Sequence, residues 1–171
     1  MNDISWGHIN INVTDLDRSI AFYEKFGFEI FLPSIPYLGL SDAPGEAPLP
    51  AALSEALGMG RETAGRGCIM QLKQQDFPKI DLTELVGRDA QATCDPLENQ
   101  DNGFVRICLL TEDLQATYER LVDDGVGFLT EPVEADGELV LMATCRDPDG
   151  ALIELLEVRY EKWAAHLGQR Q

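Results

Sequence analysis

Trp6-Gly7-His8-Ile9-Asn10-Ile11-Asn12-Val13-Thr14-Asp15-Leu16 is an alternating strand that runs into an Asp-Leu helix start, and the chain states it twice. Phe104-Val105-Arg106-Ile107-Cys108-Leu109-Leu110-Thr111-Glu112-Asp113-Leu114 follows the same plan. Each copy also closes on an apolar strand with two acids three residues apart, Ile80-Asp81-Leu82-Thr83-Glu84 and then Ile153-Glu154-Leu155-Leu156-Glu157. Two copies of one unit predict a pseudo-symmetric small-molecule site where they join. Polar residues on otherwise apolar strands mark the places to look.

Between these ends each half reads strand, helix, then three strands. In the first half His8 to Val13 alternates as a strand, Asp15 or Asp17 can cap the next helix, and Ile20, Phe22, Tyr23 and Phe26 supply its apolar face. Gly27 stands where a helix-ending glycine belongs, Phe28 to Leu32 reads as a strand, and Pro33 and Pro36 stop it. Pro50 to Leu57 reads as a short inserted helix, and Gly67–Lys73 and Lys79–Val86 as strands. In the second half strands are expected at Phe104–Leu110, Phe128–Glu131, Leu139–Cys145 and Ala151–Val158, with a helix from Asp113 to Val122. Asp147-Pro148-Asp149-Gly150 is the turn before the last strand, and Tyr160–Leu167 reads as a terminal helix that lays Trp163 and Leu167 on the body. The expected division is a module over residues 3–90 with a helical insertion at about 49–60, a linker over 87–103, a module over 102–160 and a tail over 161–171.

At 171 residues the chain can bury a substantial core. Thirty acidic against thirteen basic residues give a formal charge of −17, which disfavours phosphate backbones and anionic lipid as partners. No nucleic acid and no membrane is therefore expected, and no apolar run reaches the length of a spanning helix. The start of the chain lacks the basic and apolar pattern of a signal peptide. Cys68, Cys94, Cys108 and Cys145 form no CxxC pair, and three of them lie in strand-like runs as buried free thiols, so the expected compartment is the cytoplasm. No phosphate-cradling glycine loop or Ser-His-Asp spacing is present.

His8, Asn10 and Asn12 share one side of their strand, a polar row that fits a cavity wall better than a packed core, although a half-exposed surface strand reads the same way. Of the two histidines, His166 lies in the tail, so His8 is the imidazole for a ligand or catalytic-base role. Glu154, between Ile153 and Leu155, needs a cation, Arg106 or a substrate donor if it is buried. Asp81 is its counterpart, with Glu84 the substitute if the frame slips, because one register step changes the face. Arg106 repeats the parity of His8, and its fork suits a carboxylate, whether from the substrate or in a structural ion pair. Leu53 to Met59 adds an apolar flap, in which Leu57 and Met59 join Arg106 and Asn10 as candidate substrate contacts; a homodimer contact or plain helix packing reads equally well. Tyr37, Tyr118, Tyr160 and Thr144 are further polar candidates that the spacing does not separate.

With the repeat drawn, the chain resembles the vicinal oxygen chelate superfamily, the group of glyoxalases, bleomycin-resistance proteins and extradiol dioxygenases. The resemblance rests on Gly7 through Tyr23, continuing to Phe26-Gly27-Phe28, and on Asp147-Pro148-Asp149-Gly150-Ala151-Leu152-Ile153-Glu154-Leu155; it covers residues 6 to 158. It implies an α+β fold of paired βαβββ modules, with curved mixed sheets around a shared cleft. It also implies a divalent metal (Fe, Mn, Ni or Zn) on His8, Asp81 and Glu154, while Arg106 departs from the His or Gln of metal-dependent relatives. The expected activity is that of a glyoxalase-like, metal-assisted isomerase or lyase on an oxygenated, carboxylate-bearing small molecule, with Glu154 and His8 catalytic. The alternatives are a metal-free binding protein, a metal-free epimerase or isomerase, and a dioxygenase.

Overall fold

The computed structural model describes residues 7–59, 62–86, 95–135, 139–162 and 164. It divides into two compact units, Met1–Cys94 and Asp95–Gln171. Trp163, His166 and Leu167 of the expected tail, together with Trp6, Gly60 and Cys94, lie outside the described residues.

The first unit runs β1 (His8–Val13), α1 (Leu16–Glu24), β2 (Phe28–Leu32), β3 (Ser34–Ile35), β4 (Leu40–Ser41), β5 (Ala47–Pro48), α2 (Ala51–Ala56), β6 (Ala64–Leu72) and β7 (Lys79–Val86). Its main sheet has the order β1-β7-β6-β2; β1 lies parallel to β7, and β6 is antiparallel to β7 and β2. With β3 to α2 set aside as an insertion, this is βαβββ. The second unit repeats it without the insertion: β8 (Arg106–Leu110), α3 (Leu114–Asp123), β9 (Val133–Ala135), β10 (Val140–Arg146) and β11 (Leu152–Val158). Its sheet has the order β8-β11-β10-β9, with β8 parallel to β11 and the other pairs antiparallel. No described helix is long and apolar enough to cross a membrane.

Helices α1 and α3 start on the same chemistry. Asp15 caps α1 through a hydrogen bond from the Arg18 amide at 2.9 Å, and Asp113 caps α3 through the Ala116 amide at 2.9 Å. The next amide is satisfied from far away: Leu16 N–H donates to Glu84 at 3.0 Å, and Leu114 N–H to Glu157 at 2.9 Å. A carboxylate at a helix N-terminus meets unpaired amides and the positive end of the helix dipole. The second acid of each closing strand is therefore a helix cap. Arg66 strengthens the first cap by binding Asp17 at 3.0 Å and Glu84 at 3.5 Å.

The core of α1 is Leu16, Ser19, Phe22 and Tyr23, whereas Ile20 and Phe26 stay partly exposed. Three further expectations need correction. The expected strand Phe128–Glu131 holds only an isolated bridge from Phe128 to Cys145, and the edge strand forms after Pro132. Proline there removes a donor, and the Phe128 ring is held edge-on against Tyr118 at 4.8 Å. Strand β8 begins at Arg106, and Phe104 is exposed. Cys68 and Cys145 are buried free thiols whose ionisation burial pushes up to about 12, but Cys108 is exposed, on the same face of β8 as the exposed Arg106 and Leu110.

The insertion makes a small core of its own from Ile35, Leu38, Leu40 and Leu49, against which Leu53, Met59, Ile69 and Leu85 pack. Strand β6 accepts it by lacking side chains. A Cβ on Gly67 would sit 2.7 Å from Ile35 Cδ1, and one on Gly65 would sit 2.2 Å from the Glu84 carbonyl oxygen. Gly65→Ala is expected to destabilise the protein by roughly 1–3 kcal/mol, the usual range for overpacking, because the colliding atom is backbone. Urea unfolding followed by circular dichroism measures it; an unchanged midpoint would show that β6 and β7 can separate at no cost.

Candidate functional site

The repeat can be laid out strand by strand. In the first unit Asn10 faces Asp81 across the parallel β1–β7 pair; in the second, Cys108 faces Glu154 across β8–β11. Counting back two residues on each first strand gives His8 and Arg106, on the same side of the strand. His8 with Asp81 and Arg106 with Glu154 are thus equivalent pairs of one repeated frame.

In the first unit Asp81 is wholly buried, and the phenol of Tyr37 donates to its Oδ2 at 2.5 Å. The same hydroxyl lies 3.1 Å from His8 Nε2, and the two rings stack at 5.6 Å between centroids. His8 Nε2 and Asp81 Oδ2 are 3.6 Å apart. Burial, followed by the contact with Asp81, raises the Tyr37 phenol well above the usual range, so it stays protonated. Beside this cluster the Thr83 hydroxyl donates to Asn10 Oδ1 at 2.7 Å, and Asn10 donates to Asn12 at 3.0 Å. Asn10 therefore spends its carbonyl and one N–H on the protein. Glu84 takes no part, being at the N-terminus of α1.

In the second unit Glu154 is nine-tenths buried, and Arg106 Nε donates to its Oε2. A second guanidinium nitrogen donates to Asn99 Oδ1 at 3.0 Å. The Cys108 thiol lies 4.0 Å from Glu154 Oε1, and burial, then the carboxylate, raise its ionisation above the ordinary range. Leu57 is exposed on the insertion, while Met59 packs on the insertion's core.

A divalent cation does not fit these donors as arranged. Neither unit gathers three His, Cys, Asp or Glu donors among the described residues. The Tyr37 hydroxyl bridges His8 and Asp81, where a shared cation would have to sit. The Glu154 carboxylate is held by a guanidinium, which is always charged and repels a cation.

Two participants carry no clear signal in the sequence. Tyr37 reaches the site because the insertion folds back onto β6, a tertiary event. Asn99 comes from an irregular stretch of the linker.

Residues 5–155 match the model of the Glyoxalase/Bleomycin resistance protein/Dioxygenase superfamily. A protein of Synechocystis sp. named probable lactoylglutathione lyase is 29% identical over 157 residues, which are 91% of this chain and 96% of that protein. Among solved structures, a glyoxalase family protein from Bacillus cereus aligns with a TM-score of 0.69 at 19% identity, covering 92% of this chain and 96% of that one. The trypanothione-dependent glyoxalase I of Leishmania major aligns with a TM-score of 0.55 at 22% identity, covering 95% and 93%. At these identities the structural likenesses concern the fold.

Proposed function

As the chain belongs to the Glyoxalase/Bleomycin resistance protein/Dioxygenase superfamily, we propose that it is a glyoxalase-like enzyme, an isomerase or lyase that moves a proton on a small oxygenated substrate bearing a carboxylate. In the second unit Glu154 is the proton acceptor and Arg106 the fork for the anionic end of the substrate; in the first unit His8 is the candidate proton-transferring group.

The observation that carries this reading is the Arg106–Glu154 pair. The buried Glu154 carboxylate is engaged by its ion pair for as long as Arg106 holds Oε2. A substrate carboxylate competes for the same guanidinium, and as it takes Arg106 it releases Glu154 beside the bond to be broken. The substrate's own charge thus arms the base. A dioxygenase has the least support here, since His8 is the sole imidazole among the described residues. A binding protein of the same fold is the second reading, favoured by the same pair if Arg106 never leaves Glu154.

The test is proton exchange in deuterium oxide with a panel of small hydroxy and keto acids, including S-lactoylglutathione, the compound named by the cyanobacterial relative. Deuterium should enter one carbon next to a carbonyl or hydroxyl in at least one compound, as read by proton NMR. Uncharged analogues should not exchange. Tight binding across the panel without exchange at any carbon would favour the binding protein.

A further inference from the structure

The hydroxyl of Tyr37 lies within hydrogen-bond reach of both His8 and Asp81. Tyr37 lies on a three-residue 3-10 turn, Pro36–Leu38, opened by Pro36 and closed by Gly39 at φ 69°. Ile35 and Leu38, on either side, are anchored in the core of the insertion. Tyr37 itself remains 45% exposed, and the packed turn presents its hydroxyl to His8 and Asp81.

A phenol has one proton to give. The carboxylate of Asp81, at 2.5 Å, can only accept, so it receives that proton. Asp81 Oδ1 is buried and has no hydrogen-bond partner among the described residues, which leaves Oδ2 as the oxygen through which the protein holds this charge. With its proton committed, the Tyr37 oxygen can only accept from His8 Nε2, 3.1 Å away. Nε2 must then carry hydrogen. A neutral imidazole has one N–H, so Nδ1 keeps its lone pair.

We propose that Tyr37 is a positioning residue that fixes His8 as its Nε2–H tautomer and leaves the lone pair on Nδ1, the nitrogen that the proton-transfer reading of the site, on which this rests, would use. Orienting a histidine through its second nitrogen is the part an aspartate plays in a serine-hydrolase triad; here a phenol stands between the two.

The experiment is proton–nitrogen NMR of the whole chain labelled with 15N-histidine, at neutral pH and without substrate. The chain has two histidines, so His8→Gln assigns the signals. An exposed imidazole N–H ordinarily exchanges with water too fast to be observed, and the His8 side chain is 42% exposed. The wild type should nevertheless show a ring proton on His8 Nε2, held by Tyr37. Tyr37→Phe, which keeps the ring and the turn, should lose that signal while its backbone amide spectrum elsewhere is unchanged. Asp81→Asn, a second variant, should lose it too, because the phenol is then no longer committed to a carboxylate. A His8 proton on Nδ1, no observable ring proton in the wild type, or a signal that survives both substitutions would overturn the proposal. Because no substrate is present, a panel with no exchange and an intact Nε2–H signal rejects the enzyme and leaves the tautomer assignment standing.

Discussion

Glu154→Gln is expected to lower turnover by roughly 10²–10⁴-fold, the usual contribution of a general base. The amide matches the carboxylate in shape and cannot take a proton at neutral pH. Glu154 is nine-tenths buried and is paired with the Arg106 guanidinium, so the substitution changes charge while leaving volume in place. KM for the exchanging substrate should change little or fall, since Arg106 no longer has to be drawn away from a competing anion. Steady-state kinetics on the substrate found in deuterium oxide checks both halves. A variant with wild-type kcat would remove Glu154 as the base.

Arg106→Leu should produce the opposite pattern. Loss of a charge-assisted contact of about 1.5–3 kcal/mol raises KM for a carboxylate-bearing substrate roughly 10–100-fold. The variant also leaves the Glu154 carboxylate buried without its counter-charge, so a lower unfolding midpoint should accompany the kinetic defect. Arg106→His separates charge from metal chemistry: it removes the repelling cation and puts an imidazole donor beside Glu154. Calorimetric titration with Zn²⁺ or Ni²⁺ should then give at least about tenfold tighter binding than the wild type. Equal binding by both proteins would mean that Arg106 is not what keeps a cation from the second unit.

The parts of this molecule that could be read in advance depend on local chemistry. An Asp one residue before an apolar helix face caps it, so the start at Asp113 was legible and that of α1 was narrowed to Asp15 or Asp17, of which Asp15 is the cap. Asp81 and Glu84 could not be told apart in the same way. They lie on opposite sides of β7, and which side meets the helix depends on the parallel register with β1. Arg106 and Glu154 had several partners open to them, and the two-residue offset across β8 and β11 selects the pair. Tyr37 is further from view, because its position depends on an insertion packing onto β6 at Gly67. Phe128 misled for a related reason: its apolar character serves a contact with Tyr118 on α3 and not a strand.

The two glutamate caps have a consequence for cooperativity. Glu84 joins β7 to an amide 68 residues earlier, and Glu157 joins β11 to one 43 residues earlier. Each of these strands also carries Asp81 or Glu154, three residues before the cap. Fraying of the first turn of α1 or α3 breaks a contact to the strand that carries Asp81 or Glu154, which ties the local opening of each helix to that strand.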